Sequence, residues 1–159
     1  FYPFCKRFFL APQLVLGVAF ASPILMAQTA ILGRITLAGF LLFAASVFWA
    51  LVYDTYYALV DRDDDLKIGL HSSAITVRGF EHRFLAAMAG TVLGFLVLTG
   101  LAAGLNGWYY LGLAIAAALF LYELWDTRNL ERERCFRAFN HNNWVGAAVL
   151  LGLVLAFLP

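Results

Sequence analysis

Apolar residues fall into five long runs, near 8–28, 35–57, 84–105, 107–122 and 136–158, with polar breaks between them. The first three have the ~20 residues that a helix needs to cross a hydrocarbon core. The fourth is shorter and opens on Trp108-Tyr109-Tyr110, an aromatic belt of the kind found at membrane interfaces. The fifth has an apolar core from Trp144 to Leu158, extended by a polar first turn or two. Strict alternation of apolar and polar positions is absent, and lipid cannot satisfy the open backbone groups of lone strands. The pattern predicts an all-α integral membrane protein. It is a bundle of about five transmembrane helices in a single domain spanning 1–159, with loops at 58–83 and 123–135.

Composition agrees. The chain is 63% hydrophobic and 13% charged, with a mean hydropathy of +0.80, whereas soluble domains carry roughly 25% charged residues. Pro12 and Pro23 fall inside the first run, where membrane helices tolerate proline with a kink. Gly90 and Gly94 form a GxxxG pair, which predicts close packing against another helix of the same chain. Cys5 and Cys135 have no CxxC partner and no histidine at ligand spacing, so they read as two free thiols in a reducing compartment. No cleavable signal is visible, because Lys6-Arg7 leads into a full-length span. The start at Phe1 reads as a segment that begins inside a larger protein.

The charges set the topology. Of the eleven basic residues, all but Arg34 fall on one side of the predicted spans. The positive-inside rule makes that side cytoplasmic. The net charge of +1 identifies no partner beyond the lipid bilayer, and no nucleic acid is expected as one.

The same side carries the acidic stretch from Tyr53 to Asp65, with five of the ten acidic residues of the chain. On a helix, Asp61 and Asp65 lie one turn apart on one face, and Asp54 lies within ~20° of the same line two turns earlier. Like charges at that spacing repel unless a cation lies between them. Two carboxylates suit a hard divalent ion that keeps several waters and takes further ligands from phosphate, which describes Mg²⁺. Asp63 and Asp64 point elsewhere on the helix, as outer or solvated groups, although Asp64 is kept as a third candidate ligand. A solvated loop with capping aspartates is the alternative. An EF-hand is excluded, because Leu66 and Ser72 stand where its glycine and glutamate belong. Lys6, Arg7 and Lys67 lie near the same face, with Tyr2 one turn before Lys6. They serve either as topological anchors or, with the metal, as a clamp on a diphosphate. Asn142 and Asn143, at the start of the last span, read as caps or as interhelical contacts.

These residues carry a resemblance. Tyr2-Pro3-Phe4-Cys5-Lys6-Arg7, Pro12-Gln13-Leu14-Val15-Leu16-Gly17, the stretch from Tyr53 to Gly69 and, more weakly, Asn142-Asn143-Trp144-Val145-Gly146 resemble the UbiA family of intramembrane prenyltransferases. Within it they are most similar to the 4-hydroxybenzoate polyprenyltransferases. The resemblance implies a nine-span helical fold around a central cavity, with two aspartate-rich motifs holding Mg²⁺ against the diphosphate of a polyprenyl donor. It assigns Asp61 and Asp65 to the second motif, as catalytic and metal residues with Asp64 beside them. Tyr2 and Lys6 become the Tyr-x-x-x-Lys element, Lys6 counting as catalytic, and Arg7 serves acceptor binding. Lys67, Asp54 and Asn143 join the substrate-binding set. The first motif, an Asn-Asp-x-x-Asp-like element, is nowhere in this chain. The expectation is therefore the C-terminal five-span part of the fold, with half of the metal site and no activity alone. His71 departs from the family, whose close members carry lysine there.

The function implied is polyprenyl transfer from polyprenyl diphosphate to 4-hydroxybenzoate in ubiquinone biosynthesis. The expected location is the bacterial inner membrane, or alternatively the mitochondrial one, with the site facing the cytoplasm. The competing readings are transfer to a naphthoate, homogentisate, chlorophyllide or haem, and a non-catalytic cation-binding membrane protein. Few charges inside the spans argue against the last.

Overall fold

The computed structural model describes residues 12–67, 69 and 72–158, which form six helices with no strand among them. They are α1 (Pro12–Leu32), α2 (Leu37–Lys67), α3 (Ser73–Thr76), α4 (Glu81–Ala103), α5 (Gly107–Asp126) and α6 (Arg132–Ala156). Tyr2, Cys5, Lys6, Arg7 and His71 lie outside the described residues.

α1, α2, α4 and α5 are long and apolar enough to cross a membrane. α6 has the length, at 25 residues, but its half from Arg132 to Asn143 is polar. It falls short of that criterion, so four helices qualify where about five were expected. The expected fifth span is nevertheless a helix, polar in one half and apolar in the other. The chain is a multi-pass membrane protein.

Short turns join long helices, so successive helices run antiparallel. One end of the bundle gathers Lys67, Glu81, Asp126 and Arg132; the other gathers the turns around Gly33 and Gly104. The charged end is tied across helices. Arg62 of α2 reaches Glu81 of α4 at 3.3 Å, and Arg134 and Arg137 of α6 grip Asp126 of α5 at 3.0 and 3.2 Å.

α2 is the axis of the bundle. It packs against α1, α4 and α6, while α5 lies between α4 and α6. Val52 and Tyr56 of α2, Leu85 and Leu96 of α4, Tyr109 and Phe120 of α5 and Val145 of α6 form the buried centre. The buried Tyr109 hydroxyl donates to Leu96 O at 2.9 Å, so its polar tip has a partner. Met26, Ile31, Leu121 and Trp144 are exposed, as lipid-facing apolar side chains are.

The helix contacts correct one expectation. A Cβ on Gly90 or Gly94 meets no atom within 4 Å, so this GxxxG pair packs against none of the described residues. Spacing alone does not say which face of a helix acquires a neighbour. Close approach occurs elsewhere, at Gly17 against Val47 and at Gly112 against Gly152.

α2 also runs further than its apolar run. It has 31 residues, about 46 Å at 1.5 Å per residue, against about 30 Å of hydrocarbon. The segment expected as a loop from residue 58 is helical through Lys67, because it holds no helix breaker. The first is Gly69, with φ 70°, in the left-handed region that glycine adopts without a Cβ penalty. The acidic stretch therefore sits on a rigid helix projecting beyond the apolar layer.

Candidate active site

Helical phase sorts the five aspartates of α2. Asp65 is buried and Asp61 half-buried, one turn apart. Asp63 and Asp64 are exposed. Asp64 pairs with Lys67 at 3.0 Å and with Arg132 of α6 at 3.6 Å. Lys67 is thus committed to an acidic neighbour on its own helix. Asp54 is half-buried and has interactions of its own.

Asp65 is distinctive in a second way. Among the described residues, three buried side-chain atoms have no hydrogen-bond partner: Asp65 Oδ2, Ser72 Oγ and His82 Nε2. All three belong to the charged end, and Asp65 alone of them lies in the acidic stretch. A buried carboxylate oxygen without a partner is costly, and native structures keep such groups for a reason. No three His, Cys, Asp or Glu side chains converge among the described residues. Asp61 and Asp65 therefore amount to two carboxylates, a partial set that fits a cation taking its other ligands from elsewhere.

The segment after this stretch is clamped. Gln13 of α1 is buried, and its Oε1 accepts from the Ser73 backbone N–H at 3.2 Å. The Ser73 and Thr55 hydroxyls meet at 2.8 Å, and Thr55 donates to Leu51 O at 2.6 Å. The start of α1, the body of α2 and α3 are thereby locked beneath the acidic turns.

Deeper in the bundle a cleft of about 400 Å³ opens between α1, α2 and α6. Phe20 of α1, Trp49 and Tyr53 of α2, and Phe139, Asn142 and Asn143 of α6 line it. Tyr53 and Tyr57 pack on the Phe139 ring at 6.1 and 5.2 Å between centroids. Tyr53 lies eight residues before Asp61 on the same helix, about 12 Å along the axis. The apolar, aromatic cleft and the pair of carboxylates thus lie at different levels of one helix. Asn143 is exposed and faces the cleft, so the structure places it with Trp49 and Tyr53.

Burial raises the Cys135 thiol to about 11, so it stays protonated and unreactive near neutral pH. At the entrance to α6, hydrogen bonds from Arg134 and Asn129 hold the Glu131 carboxyl below the usual range.

The profile of the UbiA prenyltransferase family matches residues 1–157. The chain belongs to this family. It is 47% identical over 156 residues to a 4-hydroxybenzoate octaprenyltransferase of Pseudomonas fluorescens, covering 98% of this chain and 53% of that protein. The Azotobacter vinelandii protein of the same name gives the same figures. The one from Alkalilimnicola ehrlichii is 49% identical over 154 residues, 97% of this chain and 53% of its own length. The chain thus spans about half the length of the curated relatives it matches. No solved structure matches it.

For a UbiA-family chain, the sequence reading picked out the acidic face and Asn143. It assigned no role to Glu123, His141 or Trp49, which are joined through Asn142 at the wall of the cleft. One signal was present: Glu123 is a lone acid at the end of an apolar run, and ionisable groups in such places are functional candidates by default.

Proposed function

We propose that the complete protein transfers a polyprenyl group, an octaprenyl one by its relatives' names, from its diphosphate to the ring of 4-hydroxybenzoate, for ubiquinone biosynthesis. This chain supplies the second aspartate-rich motif, and the N-terminal half of the fold supplies the first. The observation that carries this reading is Asp65, buried with an unpartnered oxygen one turn from Asp61. The pair terminates a membrane helix that lines an aromatic cleft.

Asp61 and Asp65 hold Mg²⁺, which when bound offsets the charge of the leaving diphosphate. Lys6 and Tyr2 bind the diphosphate oxygens, and Lys67 joins them by exchanging its ion pair with Asp64 for phosphate. Arg7 takes the acceptor carboxylate, and Asp54 and Asn143 border the substrates. The allylic C–O bond breaks, and its electron pair leaves with the diphosphate. The ring carbon ortho to the hydroxyl bonds to the prenyl carbon, and that ring carbon gives up its proton. Apolar walls keep water from the electron-poor prenyl carbon. The site faces the cytoplasm from the inner membrane, on the strength of the basic residues crowded at the charged end.

The test supplies the full-length protein, in membranes, with labelled octaprenyl diphosphate and a mixture of acceptors. Label is expected in 4-hydroxybenzoate, with transfer abolished by a chelator and restored by Mg²⁺. Preferential labelling of a naphthoate, homogentisate, chlorophyllide or haem overturns the acceptor, and chelator-insensitive transfer overturns the metal.

Asp64 is the outermost of the three candidate ligands, and its ion pairs with Lys67 and Arg132 support a role in surface charge balance. In the same assay Asp64→Asn is expected to change kcat/KM by less than about fivefold, as for an exposed ion pair. A loss as large as that of an Asp61 variant makes it a ligand.

A further inference from the structure

Glu123 stands apart from the acidic stretch, in the last turns of α5, and is 1% exposed. Its Oε2 accepts from Asn142 Nδ2 at 2.9 Å, and its Oε1 lies 3.0 Å from His141 Nδ1. Asn142 Nδ2 also donates to Ala138 O at 3.2 Å, and Asn142 Oδ1 accepts from the Trp49 indole N–H at 2.9 Å. An indole nitrogen only donates and the Ala138 carbonyl only accepts. The Asn142 amide therefore has one orientation that satisfies both neighbours, and a flip breaks both bonds at once. Phe120 braces the same indole edge-on, with centroids 6.3 Å apart.

Trp49 and Asn142 line the cleft, whereas Glu123 does not. The carboxylate thus acts on the cleft only through the two side chains that it holds. Burying an acid in a membrane bundle is expensive, and apolar packing would fill the same volume more cheaply. The cleft wall combines flat aromatic faces with amide groups from Asn140, Asn142 and Asn143, which suits a flat aromatic molecule with polar substituents.

We propose that Glu123 is a positioning residue for the aromatic acceptor: through Asn142 it fixes the Trp49 indole that forms the wall of the acceptor cleft. This rests on the prenyl-transfer reading above. The relay itself spans α5, α6 and α2 and is independent of that reading.

Two measurements on the full-length protein test it. In the first, tryptophan indoles are labelled with ¹⁵N and the Trp49 resonance is identified by its loss in Trp49→Phe. Glu123→Leu is expected to shift that resonance and leave the Trp108, Trp125 and Trp144 resonances in place. An unmoved Trp49 resonance overturns the relay whether or not the protein transfers prenyl groups.

The second measurement is steady-state kinetics. Glu123→Leu is expected to raise the KM for 4-hydroxybenzoate about tenfold, the scale of one lost buried hydrogen bond, with the donor KM unchanged. Glu123→Gln keeps an acceptor oxygen for Asn142 and should restore the acceptor KM. Trp49→Phe combined with Glu123→Leu should be no worse than the worse single variant, because both cut one chain of bonds. Additive effects, equal rises in both KM values, or no recovery with glutamine overturn the proposal. Glu123→Met stands in if the leucine variant does not fold. Absence of transfer by the parent protein sinks the prenyl-transfer reading instead, and the indole measurement still decides the relay.

Discussion

Full-length protein carrying Asp65→Asn is expected to lose about 10²–10³-fold in kcat while folding as the parent does. The substitution keeps the size and shape of the side chain and removes one charge. Asp65 is buried with an unpartnered oxygen, so no hydrogen bond to that oxygen is lost and the neutral amide is easier to bury than the carboxylate. Thermal stability in detergent should hold or rise. That combination separates a functional carboxylate from a structural one, whose neutralisation costs stability and activity together. Asp61→Asn should produce a loss of similar size. The double variant should be little worse than either single one, since two ligands of one ion act as a unit. Raising Mg²⁺ should recover part of the rate in each single variant, if the main damage is to metal affinity. Near-parent turnover in either variant at ordinary Mg²⁺ would falsify the assignment of these carboxylates to the metal.

The acidic face was legible because it rests on arithmetic within one helix. The 100° step places Asp61 and Asp65 together whatever surrounds them, and the structure adds that Asp65 is buried while Asp64 is turned out to Lys67 and Arg132. The grouping of basic residues at one end was legible for a similar reason, since span count and loop position determine it. The extent of α2 was only partly legible. Its hydrophobic run ends near Tyr57, but helix propagation needs the absence of breakers, not the presence of apolar residues, so it continues to Lys67.

What depends on partners distant in sequence was not legible. The bond from Trp49 to Asn142 joins residues 93 positions apart. Asn142 itself read as a cap or an interhelical contact, and the α2–α6 bond selects the second. Glycine spacing did not locate the close contacts. Gly90 and Gly94 fit a packing motif but meet none of the described residues, whereas Gly112 and Gly152, forty positions apart with no shared motif, bring two helices together.

That glycine contact yields the second large effect. Gly112→Ala should destabilise the protein, and Gly112→Val more so, by about 1–3 kcal/mol or beyond. A Cβ at Gly112 would lie 2.7 Å from Ala148 O and 2.8 Å from Gly152 Cα. Both are backbone atoms of α6, so no side chain can rotate aside and the two helices must part. From the other side, a Cβ at Gly152 would lie 2.9 Å from Gly112 Cα. Lipid tails are as apolar as leucine, so tight contact between small residues is itself a source of association in the bilayer. The informative control is the same change on a face that meets none of the described residues: Gly90→Ala. A helical glycine replaced by alanine gains up to about 1 kcal/mol of helix propensity when space allows. Gly90→Ala should therefore leave the melting temperature unchanged or raise it, while Gly112→Ala lowers it. The comparison is read by thermal unfolding of full-length protein in one detergent, where the opposite signs cannot come from propensity. A Gly112→Ala protein as stable as the Gly90→Ala one would remove the α5–α6 backbone contact from the account of how the cleft is held. Because α6 carries Asn142 and α5 carries Glu123, parting these helices should also loosen the Trp49 wall. Gly112→Ala is therefore expected to raise the acceptor KM at temperatures well below its melting point.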